Sequence, residues 1–140
     1  MIDNTMLKAI NTIARKQENP TELTIKWSKQ LLDYAATYPN AAIRYYVSDM
    51  ILTQHSDASY NNDEKARSIY GGYTWLGWKQ PDHALLRLNG AVSADVNILK
   101  LVATSAAEAE LGGLFKNMQR GTIMRLTLQE IGHPQPTTDI

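Results

Sequence analysis

Residues 104–115, TSAAEAELGGLF, decide how the rest of the chain is read. The alanine-rich run after Ser105 favours helix, and Leu111, Leu114, Phe115 and Met118 recur at i, i+3, i+4 and i+7, an apolar stripe of helical period. Ile123, Leu126 and Ile131 continue the stripe, with an irregularity expected at Gly121. Gly132 is a natural C-cap, and Pro134 forbids the helix to resume. One long helix is therefore expected from Ser105 to the region of Ile131. The segments before it carry the period of strands, and that change of period sets the class as α+β.

Working back from this helix, AVSADVNIL (91–99) reads as a weaker strand, and Gly71-Gly72 open a stronger one, YTWLGW (73–78). KQPDHALLRLNG (79–90) is a connection that contains Pro81 and a turn at Asn89-Gly90. In MILTQHSDAS (50–59) Ile51, Thr53, His55 and Asp57 share one face of a strand, and Met50, Leu52, Gln54 and Ser56 the other. YNNDEKARS (60–68) is expected as loop, and the β-branched and aromatic AIRYYV (42–47) as a further strand. Residues 4–17 place Met6, Leu7, Ile10 and Ile13 at helical spacing. Asn19-Pro20 breaks that pattern. A second helix starts near Thr21, with Leu23, Trp27, Leu31, Tyr34 and Ala35 on its apolar face, and ends at Tyr38-Pro39. The organisation expected is a helical segment over 1–40 and an α+β segment over 41–140.

The chain of 140 residues balances 14 basic against 14 acidic side chains and has no cysteine. No overall field draws it to nucleic acid or to anionic lipid, so such binding needs a local basic patch, with Lys65, Arg67, Lys116, Arg120 and Arg125 as the available cations. Disulfides and thiolate metal sites are excluded, and the composition fits an intracellular protein, cytoplasmic or nuclear. No apolar run is long enough to span a bilayer, and no signal pattern opens the sequence, so no membrane partner is expected.

Two features carry candidate chemistry. Asp57 stands toward the polar end of its strand, and Glu108 and Glu110 stand in the first turns of the long helix. Carboxylates brought together from a strand and a helix are what a hard cation such as Mg²⁺ requires. A helical wheel places Glu108 and Glu110 on opposite flanks of the apolar stripe and does not choose between them. Glu110 shares its flank with Gly113 and Asn117, a strip of low bulk that a phosphate backbone could approach. An ordinary solvated helix flank fits the same pattern. His55, near Asp57, is read as a half-buried histidine and His133 as a helix-end residue; His83 lies apart from both.

Taken in order, HSDASY, KARS, GGYTWLG, NGAV, SAAEAELGGLF and EIGHPQP resemble the ribonuclease H-like segment of copia-type retrotransposon polyproteins. KWSKQLLDYAATYP and IRYYVSDM resemble the region that joins the reverse transcriptase to it. The resemblance covers residues 20–137. It implies a mixed sheet flanked by helices and Mg²⁺-dependent (or Mn²⁺-dependent) hydrolysis of RNA in RNA/DNA hybrids. Asp57 then corresponds to the family's first metal-binding aspartate and Glu110 to its helix glutamate, which makes Glu108 a neighbour. The family's next aspartate belongs to a strand after the GHPQP turn. Here the corresponding stretch reads PTTDI, where Asp139 is the only acid. The resemblance therefore implies a partial ribonuclease H-like fold, truncated at the C-terminus, with Asp57 and Glu110 as its catalytic and metal-binding pair and Glu108 and Asp139 as weaker candidates. An incomplete acidic set points to a fragment inactive on its own. The alternative is a non-catalytic interaction module that binds protein or, weakly, nucleic acid, or that self-associates through an open sheet edge, alone or with the remainder of a polyprotein.

Overall fold

The computed structural model describes residues 4–63, 66–79 and 85–136. Two compact units divide the chain, Met1–Ile43 and Arg44–Ile140. The architecture is α+β, with three α-helices and a three-stranded antiparallel sheet among the described residues.

In the first unit a 3₁₀ turn, Asn4–Met6, leads into α1, Leu7–Ala14, and α2 follows as Glu22–Thr37. Helix α1 is shorter than the expected 4–17. Helix α2 starts where Thr21 caps it: the Thr24 N–H donates to Thr21 Oγ1 at 3.3 Å and the Thr21 N–H donates to Thr24 Oγ1 at 3.2 Å. Trp27, Leu31 and Ala35 of the expected apolar face are half-buried, whereas Leu23 is 50% exposed. Two short helices have no second layer of their own with which to cover a whole face.

The second unit is built on the hairpin of β1, Ile51–Asp63, with β2, Arg67–Gly77, and on β3, Ala91–Ile98, which pairs antiparallel with β2 in the order β1-β2-β3. The pairing runs from Ile51↔Gly77 to Ser59↔Ile69 and continues, after a shift of register, at Asp63↔Arg67. Much of the stretch expected as loop, 60–68, is thus strand. Asn61 absorbs the irregularity in a left-handed conformation, φ 49°, and its N–H donates to Ser68 Oγ.

AIRYYV (42–47) is not a strand. Its backbone finds a side chain instead of a ladder: the Tyr46 N–H donates to Asn89 Oδ1 at 2.8 Å, and Asn89 Nδ2 donates back to the Tyr46 carbonyl at 3.0 Å. The same buried amide also donates to the Leu76 carbonyl and accepts from the Gly90 N–H. One asparagine therefore supplies the peptide-like pairing that a neighbouring strand would give. Trp75, fully buried, donates its indole N–H to the Arg87 carbonyl on this side of the sheet. Trp78 is half-buried with the Arg87 guanidinium 3.7 Å from its ring centre.

Helix α3, Ala106–Glu130, lies on the other side of the sheet and runs unbroken through Gly121, where an irregularity was expected. Its end is a Schellman motif: Gly132 takes φ +91°, the His133 N–H donates to the Leu128 carbonyl at 2.9 Å and the Gly132 N–H to the Gln129 carbonyl at 3.1 Å.

The face α3 buries is not its apolar stripe. Ala109, Gly113, Asn117 and Gly121, each four residues from the next, are buried, together with Leu128. Leu111, Phe115, Met118, Ile123 and Leu126 are exposed, between 46% and 66%. The cause is closeness of approach. A Cβ on Gly113 would stand 3.0 Å from Tyr70 Cβ and 3.3 Å from Ala58 Cβ, and one on Gly121 would stand 2.7 Å from Gln54 Oε1. On the sheet side a Cβ on Gly72 would fall 2.9 Å from Asn117 Cγ. Asn117, 1% exposed, donates through Nδ2 to Ser56 Oγ at 2.7 Å and to the Gly71 carbonyl at 2.9 Å.

Gly113→Leu is therefore expected to cost about 1–3 kcal/mol by overpacking. Phe115→Ser, on the exposed stripe, should change stability by less than about 0.5 kcal/mol. Urea unfolding of the two variants at low protein concentration checks this order, which is the reverse of what the apolar periodicity implies.

Candidate functional site

Ser105 opens α3 in an extended conformation, and its Oγ accepts the Glu108 N–H at 3.2 Å. The Glu108 carboxylate reaches back one residue further: Oε2 accepts the Thr104 N–H at 2.7 Å and Oε1 accepts the Thr104 hydroxyl at 2.8 Å. The backbone hydrogen bond, then the side-chain one, hold the Glu108 carboxyl below the usual glutamate range. Both oxygens are engaged in closing the helix N-terminus, so Glu108 is a capping residue.

Asp57 is exposed on β1 and pairs in register with Gly71. Its neighbours Ser56 and Ala58 both meet α3, through Asn117 and Gly113, and Gln54 meets it at Gly121. Side chains alternate along a strand, so Asp57 and His55 stand on the face of the sheet that α3 does not cover. Glu110 is exposed on α3 itself. Asp139 lies outside the described residues, as do His83 and Lys65. Among the described residues no group of three or more His, Asp or Glu side chains stands ready to hold a metal ion.

A shared divalent cation needs carboxylate oxygens that converge within about 2.0–2.6 Å of one point. Asp57 thus stands on the sheet face that α3 leaves uncovered, Glu110 stands on α3, and both Glu108 oxygens are taken up by Thr104. The low-bulk strip beside Glu110 is not open to a phosphate backbone either, because Gly113 and Asn117 are buried under the sheet. Periodicity showed that strip to be small; it could not show that smallness serves helix–sheet contact.

Arg120 pairs with Asp95 of β3 at 2.5 Å, and Asp95 also accepts the Ser93 hydroxyl. Arg125 donates to the carbonyls of Gln135 and Pro136. Lys116 donates to Gln119 and lies 5.8 Å from the Phe115 ring centre. Arg67 is exposed at the start of β2.

Three residues that carry the site's architecture were not singled out by chemistry: Asn89, Asn117 and Gln135. Gln135, buried, accepts the Leu52 N–H through Oε1 at 2.8 Å and donates through Nε2 to the Met50 carbonyl at 3.0 Å, so its amide occupies the outer edge of β1. Asn117 had a signal in the sequence, its place midway between Gly113 and Gly121 at strict four-residue spacing.

The chain matches no protein-family model, no curated protein and no solved structure. No described helix is long and apolar enough to cross a membrane.

The lowered Glu108 carboxyl gives a pH prediction. Its contribution to stability is fully present above the ordinary glutamate pKa and is lost as pH falls through the lowered folded-state value. Glu108→Gln should remove this acid-side dependence and leave stability near neutral pH reduced. Thermal unfolding across an acid-to-neutral series compares the two proteins.

Proposed function

We propose that this chain is a ribonuclease H-like fragment of retrotransposon ancestry that keeps the scaffold and acts as a non-catalytic interaction module. The ancestry rests on the ordered segments from HSDASY to EIGHPQP. The functional part rests on one observation: Asp57 and the long helix that bears Glu110 lie on opposite faces of the sheet. Hydrolysis of an RNA/DNA hybrid by two ions needs carboxylates that bracket the attacking and leaving oxygens from one side. Asp57 and Glu110 in this arrangement serve as solvated surface groups.

The interaction role is supported by what the fold leaves uncovered. Leu111, Phe115, Met118 and Leu126 form an apolar line on the outward face of α3, and among the described residues β1 is an edge strand. Both are surfaces a partner can cover.

Incubation of a labelled RNA/DNA hybrid with the intact chain and Mg²⁺ or Mn²⁺ tests the catalytic part. The expected result is cleavage no greater than that of Asp57→Asn or Glu110→Gln. Metal-dependent cleavage that both substitutions abolish would replace this reading with the nuclease, and the two ions would then belong to Asp57 and Glu110.

A further inference from the structure

We propose that Asn89-Gly90 is a self-modifying site, whose deamidation proceeds through opening of the segment over it and then releases residues 44–46 from the sheet for good. It is the only Asn-Gly pair in the sequence. The side-chain amide of an asparagine is open to attack by the next backbone nitrogen. A following glycine favours that attack, because it puts no Cβ beside the closing ring and leaves the backbone free to turn.

Two separate demands of the fold place this reactive pair here. The Asn89 amide uses all of its hydrogen-bonding positions. Oδ1 accepts the N–H groups of Tyr46 and Gly90, each at 2.8 Å, and Nδ2 donates to the carbonyls of Tyr46 at 3.0 Å and Leu76 at 2.8 Å. Gly90 answers a different need: a Cβ there would stand 2.6 Å from the Arg44 carbonyl oxygen and 2.7 Å from Cδ1 of Tyr45. The first contact requires an amide and the second requires glycine, so the chemistry of the pair comes with the fold.

The closed arrangement holds the reaction back. Ring closure requires the Gly90 nitrogen to lose its proton and reach Cγ of Asn89, but that N–H is engaged with Oδ1. The NH₂ group that must leave is held by two carbonyls, and the side chain is buried away from hydroxide. Opening of 44–46 frees both groups. Hydroxide then takes the Gly90 proton, the nitrogen attacks Cγ, and the Cγ–Nδ2 bond breaks as ammonia leaves with a proton from water. Water opens the resulting succinimide. Breaking its bond from nitrogen to Cγ gives an aspartyl residue, and breaking the bond from nitrogen to the main-chain carbonyl carbon gives an isoaspartyl residue. An amide and a water become a carboxylate and an ammonium ion, with nothing oxidised or reduced.

Neither product closes the segment again. A carboxylate has no N–H for the carbonyls of Tyr46 and Leu76, and its charge would sit against both oxygens. The isoaspartyl form also adds a methylene to the main chain just before Ala91, whose carbonyl accepts the Tyr45 hydroxyl at 2.9 Å.

Ageing the intact chain at mildly alkaline pH, folded and in urea, tests this, with deamidation located by mass spectrometry of its peptides. In urea, position 89 should outpace every other asparagine by at least about tenfold, and folding should slow it by at least about tenfold. The deamidated fraction, refolded and separated by charge, should keep its sheet signal in circular dichroism. Trypsin should cut it after Arg44 at least about fivefold faster than the unmodified chain. Asn89→Asp supplies the aspartyl product directly and should show the same faster cut. Equal rates of deamidation in the folded and unfolded chain, or a rate at position 89 no greater than elsewhere, overturns the site. A modified fraction or variant cut at Arg44 no faster than the starting chain overturns the release, as does one that has lost its sheet.

Discussion

The side-chain amide of Asn117 is the contact on which the second unit depends. It sits above Gly72, where no side chain could stand, and ties Ser56 of β1 to the carbonyl of Gly71 in β2. For it to reach both, α3 must lie close to the sheet, and for α3 to lie close its neighbours along that face must be small. Ala109, Gly113 and Gly121 meet that condition. A glycine inside a helix costs roughly 1 kcal/mol relative to alanine, so two of them are retained against propensity because the approach requires them. The exposure of the leucine and phenylalanine line follows from the same choice. A helix has one side to give the sheet, and here the small side was given.

Much of this was legible before any coordinates. The helix starts near Thr21 and Ser105 and the stop at Gly132-Pro134 are local chemistry, written within a few residues of where they act, and the structure has them there. The alternation in 50–59 and 73–78 also holds, because strand period is a local property. What failed was choice of partner. AIRYYV has the β-branched and aromatic make-up of a strand, yet its pairing is set by Asn89, more than forty residues away. The apolar period of α3 is real, but periodicity reports that a stripe exists and not which layer covers it.

The acidic residues show the same divide. From the sequence Glu108 reads as a solvated flank or a weaker metal candidate, and its bonds to Thr104 make it a cap. The relation of Asp57 to Glu110 depends on which face of β1 meets the helix, and a one-residue change of phase reverses it. Local pattern holds no information on that phase.

The layer between α3 and the sheet has a thermal consequence. Beside the apolar cluster of Ala58, Tyr70, Leu99, Ala103 and Ala109, part of it is lined by Gln54, Ser56, Thr74, Asp95 and Asn117, polar groups that a typical helix–sheet layer would replace with aliphatic ones. Exposing polar surface on unfolding lowers the heat capacity, whereas exposing apolar surface raises it. That polar part thus lowers the heat-capacity increment of the second unit below what an all-apolar layer of the same area would give, and it flattens the stability curve. Cooling then removes less of its driving force than it would from an oily core.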